Sequence, residues 1–229
     1  MPRRYNKKRY RKKYTKKAKG ANDKTVTVWS DHNLMEKANR ALNIANKVYR
    51  FVNTEVKYFD TITTSNVPST GTINGLTIVP QGDTAQTRDG QSIKPLNLVI
   101  RSYLNKNTGS TVTDLVRVII FRGKQENGVG YSPTDILQVA TVNSPKNYTD
   151  RFRTKIMYDK TFTLNDSASS MTNMVKQLPD IKMKLHGHVN YDGTTTSIET
   201  GGIYIMYIGL FSSNLPSFAY HARLTYVDN

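Results

Sequence analysis

Eleven cations stand among the first twenty residues: Arg3, Arg4, Lys7, Lys8, Arg9, Arg11, Lys12, Lys13, Lys16, Lys17 and Lys19, with no acid between them. Tyr5, Tyr10 and Tyr14 are interleaved with that charge. Lysine and arginine at this density displace the counterions condensed on a polyanion, and their release gives affinity without sequence preference. Tyrosine rings stack on unpaired bases. The combination favours single-stranded or irregular nucleic acid over a regular duplex. Self-repulsion and the lack of apolar residues keep such a segment from folding alone. A nuclear-import signal or a solubilising tail is the plainer use of a basic cluster. The density exceeds what import requires, and the two uses are compatible.

Other reactive groupings are sparse. His186 and His188 lie two residues apart, a spacing seen in metal sites, but no third ligand is adjacent and a polar strand face accounts for both. Asp83 and Asp89 share one loop, where they offer a carboxylate pair or a cation site; acids beside glycine more often hold the turn. The chain lacks a Gly-x-Ser-x-Gly elbow, a phosphate-binding glycine loop and a His-Glu-x-x-His helix. With no cysteine, disulfides, thiolate metal sites and a cysteine nucleophile are excluded together. Nothing here argues for an enzyme or a cofactor. The longest apolar run, Ile203 to Phe211, is about half of a membrane span, so no membrane insertion is expected. No apolar segment follows the basic residues as it would in a secretory signal, and a soluble protein made inside the cell is expected.

The rest of the 229 residues must position that basic segment. The formal charge is +16, yet residues 21–229 hold 22 basic against 17 acidic side chains, so the excess is concentrated in an arm over residues 1–30. An amphipathic helix is predicted over 31–50, started by Asp31, with Leu34, Ala38, Leu42, Ala45 and Val48 on one stripe and Lys37, Arg40, Lys47 and Arg50 off it. Beyond Phe51 the period changes to two. Eight strands are predicted, beginning near Val56, Ile73, Leu96, Leu115, Ile156, Ile181, Ile203 and Tyr220. The sixth alternates most regularly: Ile181, Met183, Leu185, Val189 and Tyr191 on one face, Lys182, Lys184, His186, His188 and Asn190 on the other. Ser132-Pro133-Thr134-Asp135 is a helix start with proline in its first turn, placing a short helix between strands four and five. Eight antiparallel strands with long connections suit a two-sheet jelly roll, and residues 51–229 are assigned to it.

Several segments, in order, resemble the coat proteins of small icosahedral viruses: those of satellite tobacco necrosis virus and the capsids of circular single-stranded DNA viruses. They are Gln81-Gly82-Asp83 with Arg88, Asp89 and Gly90; Val118-Ile119-Ile120-Phe121-Arg122; the helix after Pro133; Thr161–Leu164; Gln177-Leu178-Pro179; Gly202–Gly209; and Thr225-Tyr226-Val227-Asp228. The resemblance implies a sixty-copy T=1 shell with the arm inside on a single-stranded genome. The arm is longer and denser in Arg, Lys and Tyr than the plant satellite pattern, which favours DNA over RNA as cargo. It further implies a virion location, passage through host nucleus and cytoplasm, and nuclear-import receptors as possible partners. The family's calcium ligands correspond by position to Glu55 and Asp228. The competing reading is a monomeric nucleic-acid-binding protein with a basic tail, which would usually carry a basic patch on its folded body as well.

Overall fold

The computed structural model describes residues 31–51, 55–107, 109–110, 112–126, 130–165, 175–193 and 195–228. It divides into two units, residues 1–53 and 54–229. In the first, helix α1 spans Asp31–Phe51. Glu36 and Arg40 pair across one turn at 2.8 Å, and Met35, Leu42 and Ile44 are exposed.

The second unit is a pair of antiparallel sheets. In chain order its strands are β1 (Val56–Asn66), β2 (Thr72–Gly75), β3 (Ser92–Asn105), β4 (Asp114–Gly123), β5 (Thr154–Leu164), β6 (Val175–Gln177), β7 (Ile181–Lys184), β8 (Val189–Tyr191), β9 (Ile198–Thr200), β10 (Ile203–Gly209) and β11 (Ser217–Asp228), with helix α2 (Pro133–Ile136) between β4 and β5. One sheet runs β1-β11-β3-β8-β9, with β6 and β7 also on β3; the other runs β2-β10-β4-β5. The chain crosses repeatedly between the sheets, and the late strands β10 and β11 each insert between two early ones. That order is a jelly roll.

The eight expected strands become eleven for local reasons. β6, β7 and β8 all pair with β3 and are one interrupted strand. Pro179 has no N–H to give the ladder, and Gly187 turns the chain at φ +83°. Leu178 and Leu185 bridge the gaps by donating to the carbonyls of Ser102 and Leu96. The alternation still holds: Ile181, Leu185, Val189 and Tyr191 are buried, and their polar neighbours are exposed. β2 ends at Gly75, where Leu76 and the hydroxyl of Thr77 bond to Ile203 as the chain leaves the ladder. β9 is an addition inside a stretch that reads as turn, with Ile198 its only buried residue.

Between the sheets lie Ile100, Leu98, Leu104, Val118, Ile120, Ile205, Phe218 and Leu224, each at most 1 % exposed. Tyr207 of one sheet meets Phe218 of the other, with ring centres 5.2 Å apart. Three tyrosine hydroxyls in this core have partners, Tyr207 with Ser65 and Asn74, Tyr220 with Asn74, and Tyr191 with the Thr77 carbonyl, whereas the buried hydroxyl of Tyr226 has none among the described residues.

The outer face of the β2-β10-β4-β5 sheet is covered by the β4–β5 connection. Tyr131 packs edge-on against Phe121 and Tyr204, with ring centres 5.4 and 5.3 Å away. Ile136, Leu137 and Val142 are buried as well. The expected α2 turn starts this cover: Asp135 accepts the Ser132 backbone N–H at 2.7 Å. Arg117 secures the far end, bidentate to Asp159 at 2.8 Å while donating to the carbonyls of Val142 and Ser144.

Candidate functional site

The eleven arm cations, Arg3 through Lys19, lie outside the described residues. What the folded unit adds is a set of buried cations that close the sandwich where β1 begins and β11 ends. Lys57, the second residue of β1, is only 3 % exposed. Its ammonium lies 2.8 Å from Asp89 and 3.2 Å from Asp228. Asp228 also accepts the backbone N–H of Asp89. An ammonium bonded to two carboxylates is stabilised in its charged form, and the Lys57 pKa rises above the ordinary lysine value despite the opposing effect of burial. The alternation of β1 points Lys57 inward, and the β1–β11 register, Val56 opposite Val227 and Lys57 opposite Tyr226, brings Asp228 to it.

Of the two residues that correspond to the family's calcium ligands, Glu55 is exposed, and Asp228 gives Oδ2 to the Lys57 ammonium and the Asp89 N–H while its Oδ1 is buried without a hydrogen-bond partner. Among the described residues, no three His, Asp or Glu side chains converge to hold a metal ion. His186 and His188 are exposed on the polar face, without a third ligand among the described residues. Asp83 and Asp89 do not act as a pair: Asp89 is committed to Lys57, and Asp83 makes no ion pair among the described residues.

Two arginines serve as internal clamps. Arg88 is fully buried and donates to the carbonyls of Val79, Gly90, Gly193 and Thr195, while its guanidinium lies 4.1 Å over the Tyr191 ring. It thereby ties the loop after β2 to the turn after β8. Arg122, at the end of β4, crosses to the other sheet and donates to the carbonyls of His186, His188 and Gly201. A β-carbon at Gly201, where φ is +80°, would meet the His188 carbonyl at 2.1 Å. Both arginines belong to the segments that carry the family resemblance, and the structure gives them a packing role that the resemblance alone did not assign.

Among the described residues, one buried acid, Glu126, has no charged or hydrogen-bonding partner to offset its burial. Glu126 is 8 % exposed, its Oε1 has no hydrogen-bond partner, and burial pushes its pKa up to about 7. Sequence reasoning passed over it, because a lone glutamate in a Gly- and Asn-containing connection carries no signal of burial.

The described residues contain no helix long and apolar enough to cross a membrane. No curated protein matches the chain. Solved structures that it resembles include Desmodium yellow mottle tymovirus, at 10% identity over 75% of this chain and 87% of that one with a TM-score of 0.28. Infectious bursal disease virus Gx strain matches at 8% identity over 77% of this chain and 33% of that one, with a TM-score of 0.25. A family model described as satellite tobacco necrosis virus coat protein matches residues 33–229, from within α1 through the jelly roll. With that span matched, the chain belongs to the satellite tobacco necrosis virus coat protein family.

Proposed function

We propose that this chain is a capsid subunit that closes into a T=1 shell of sixty copies and packages a single-stranded genome, DNA rather than RNA, through residues 1–30. The observation that carries the reading is eleven cations without an acid in the first twenty residues of a coat-protein-family chain. Sixty such arms supply about 660 positive charges, enough with small ions and the body to neutralise on the order of a thousand phosphates. The body forms the shell, and the arm works on its cargo by counterion release and tyrosine stacking. Virion residence, with passage through the host nucleus aided by import receptors reading the same basic clusters, completes the proposal.

Size-exclusion chromatography with light scattering and a 260/280 nm absorbance ratio tests it. The expected species is near 1.55 MDa with a high ratio. Deleting residues 1–20 is expected to leave the body folded and remove the nucleic acid. A 26 kDa species that sheds oligonucleotides in moderate salt would instead establish the monomeric binding protein. A truncated protein still co-purifying with nucleic acid would overturn the role given to the arm.

A further inference from the structure

Among the described residues of the second unit, none covers the outer face of the β1-β11-β3-β7 sheet as the β4–β5 connection covers the other sheet, and this face carries cations. The registers align its residues in rows. Tyr58, Thr225, Asn97 and Lys184 form one row; Asp60, Arg223, Val99 and Lys182 the next; Ile62, His221 and Arg101 a third; and Thr64, Ala219, Tyr103 and Gln177 a fourth. Lys94 lies on the same face, opposite Val227. Lys94, Lys182 and Lys184 are exposed and have no ionic partner among the described residues. Arg101 and Arg223 are paired with Asp180 and Asp60, yet their side chains remain 74% and 62% exposed. Tyr103 is exposed, and the Arg223 guanidinium lies 4.9 Å over the Tyr58 ring. Residues 55–229 are close to neutral in total, with 17 basic against 14 acidic side chains, so a face this positive is a local concentration.

We infer that this sheet face is a second binding surface for single-stranded nucleic acid. Residues two apart on a strand stand about 6.6 Å apart on one face, so Lys182 and Lys184 present two ammonium groups along one line and Lys94 a third on the neighbouring strand. An open antiparallel sheet with aromatic rings and guanidinium planes on its face is a platform on which unpaired bases stack while the surrounding cations hold the phosphates. The charge selects a polyanion over an apolar partner, and the exposed Tyr103 together with the stacked Tyr58–Arg223 pair selects unpaired bases over a duplex. The surface extends the packaging reading and rests on it: the arm gathers the polymer, and the sheet gives part of it a fixed track.

The test uses the full chain, dissociated in high salt and titrated with a short oligothymidylate over a range of salt concentrations. Replacing Lys94, Lys182 and Lys184 together by serine is expected to lower the slope of log affinity against log salt by about 2, since each phosphate contact on a single strand contributes about 0.7. The equal-charge control K146S/K155S/K160S, drawn from the β4–β5 connection and β5, is expected to leave the slope unchanged. Photocrosslinking to bromodeoxyuridine oligonucleotides is expected to mark Tyr58 or Tyr103 in addition to the arm tyrosines. Crosslinks confined to Tyr5, Tyr10 and Tyr14 with an unchanged slope overturn the sheet surface and leave the arm's role standing. Crosslinks on the sheet with none on the arm do the reverse. Burial of Tyr58 and Tyr103 in empty assembled particles overturns the inference in favour of a second copy of the chain.

Discussion

Lys57 is the residue on which the most structure converges, and nothing in its sequence neighbourhood marks it. Removing one member of a buried ion cluster leaves the others desolvated without a partner, at a cost of about 3–5 kcal/mol. Lys57→Met is therefore expected to lose roughly 3 kcal/mol in chemical denaturation of the unassembled chain. Asp89→Asn, whose carboxylate is 56% exposed, should lose far less. The raised Lys57 pKa makes the cluster's contribution complete below the ordinary lysine range and lost only as pH rises through the higher folded value, so it is constant across neutral pH. Because the ammonium stands beside Asp228, chelators are expected to leave the melting temperature unchanged; a fall on chelation that calcium restores would show that the cluster is a metal site after all. Glu126 has the opposite sign. Its folded pKa of about 7 lies above its ordinary value of 4.5, so the native state is favoured while the group is protonated and loses stability as pH rises through that interval. Glu126→Gln should match the wild type near pH 4.5 and melt higher at about pH 8. Equal pH slopes for the two proteins would refute this. Neither residue was legible from the sequence, because burial of a single charged side chain is decided by the segments that fold over it.

At the scale of elements, the period-two patterns carried through wherever a strand was paired on both sides. β4 and β10 carry apolar residues on both faces, and both faces are covered, one by the other sheet and one by the β4–β5 connection. The α2 turn was legible from Ser132, Pro133 and Asp135, since capping chemistry is local. The break of the sixth strand between Lys184 and Val189 was written in Gly187, but the regular alternation around it hid it; a period of two survives an interruption that spans an even number of residues. The partner of that break was not legible at all. Arg122 sits 64 residues before His186, and only the fold brings its guanidinium to the carbonyls on either side of Gly187. Gly201→Ala is expected to force the His188 carbonyl away from this clamp. Together with the left-handed backbone at that position, it should cost roughly 2–4 kcal/mol in denaturant unfolding. A variant as stable as the wild type would mean that the β9–β10 connection or the His188 carbonyl before β8 yields freely.

For the molecule as a whole, charge totals mislead where charge placement informs. The near-neutral body argued against a basic patch, yet several of its cations are consumed internally or lie elsewhere while three free lysines share one sheet face. The Lys57 cluster has a further, mechanical consequence. Any tension that a bound polymer places on the arm enters the jelly roll at the start of β1. One residue inside that entry point, Lys57 is fastened to Asp89 and Asp228, so the load spreads at once into the loop after β2 and the end of β11 before the first rungs of the ladder can peel. The cluster works as a strain relief, like the clamp on a cable where it enters its housing.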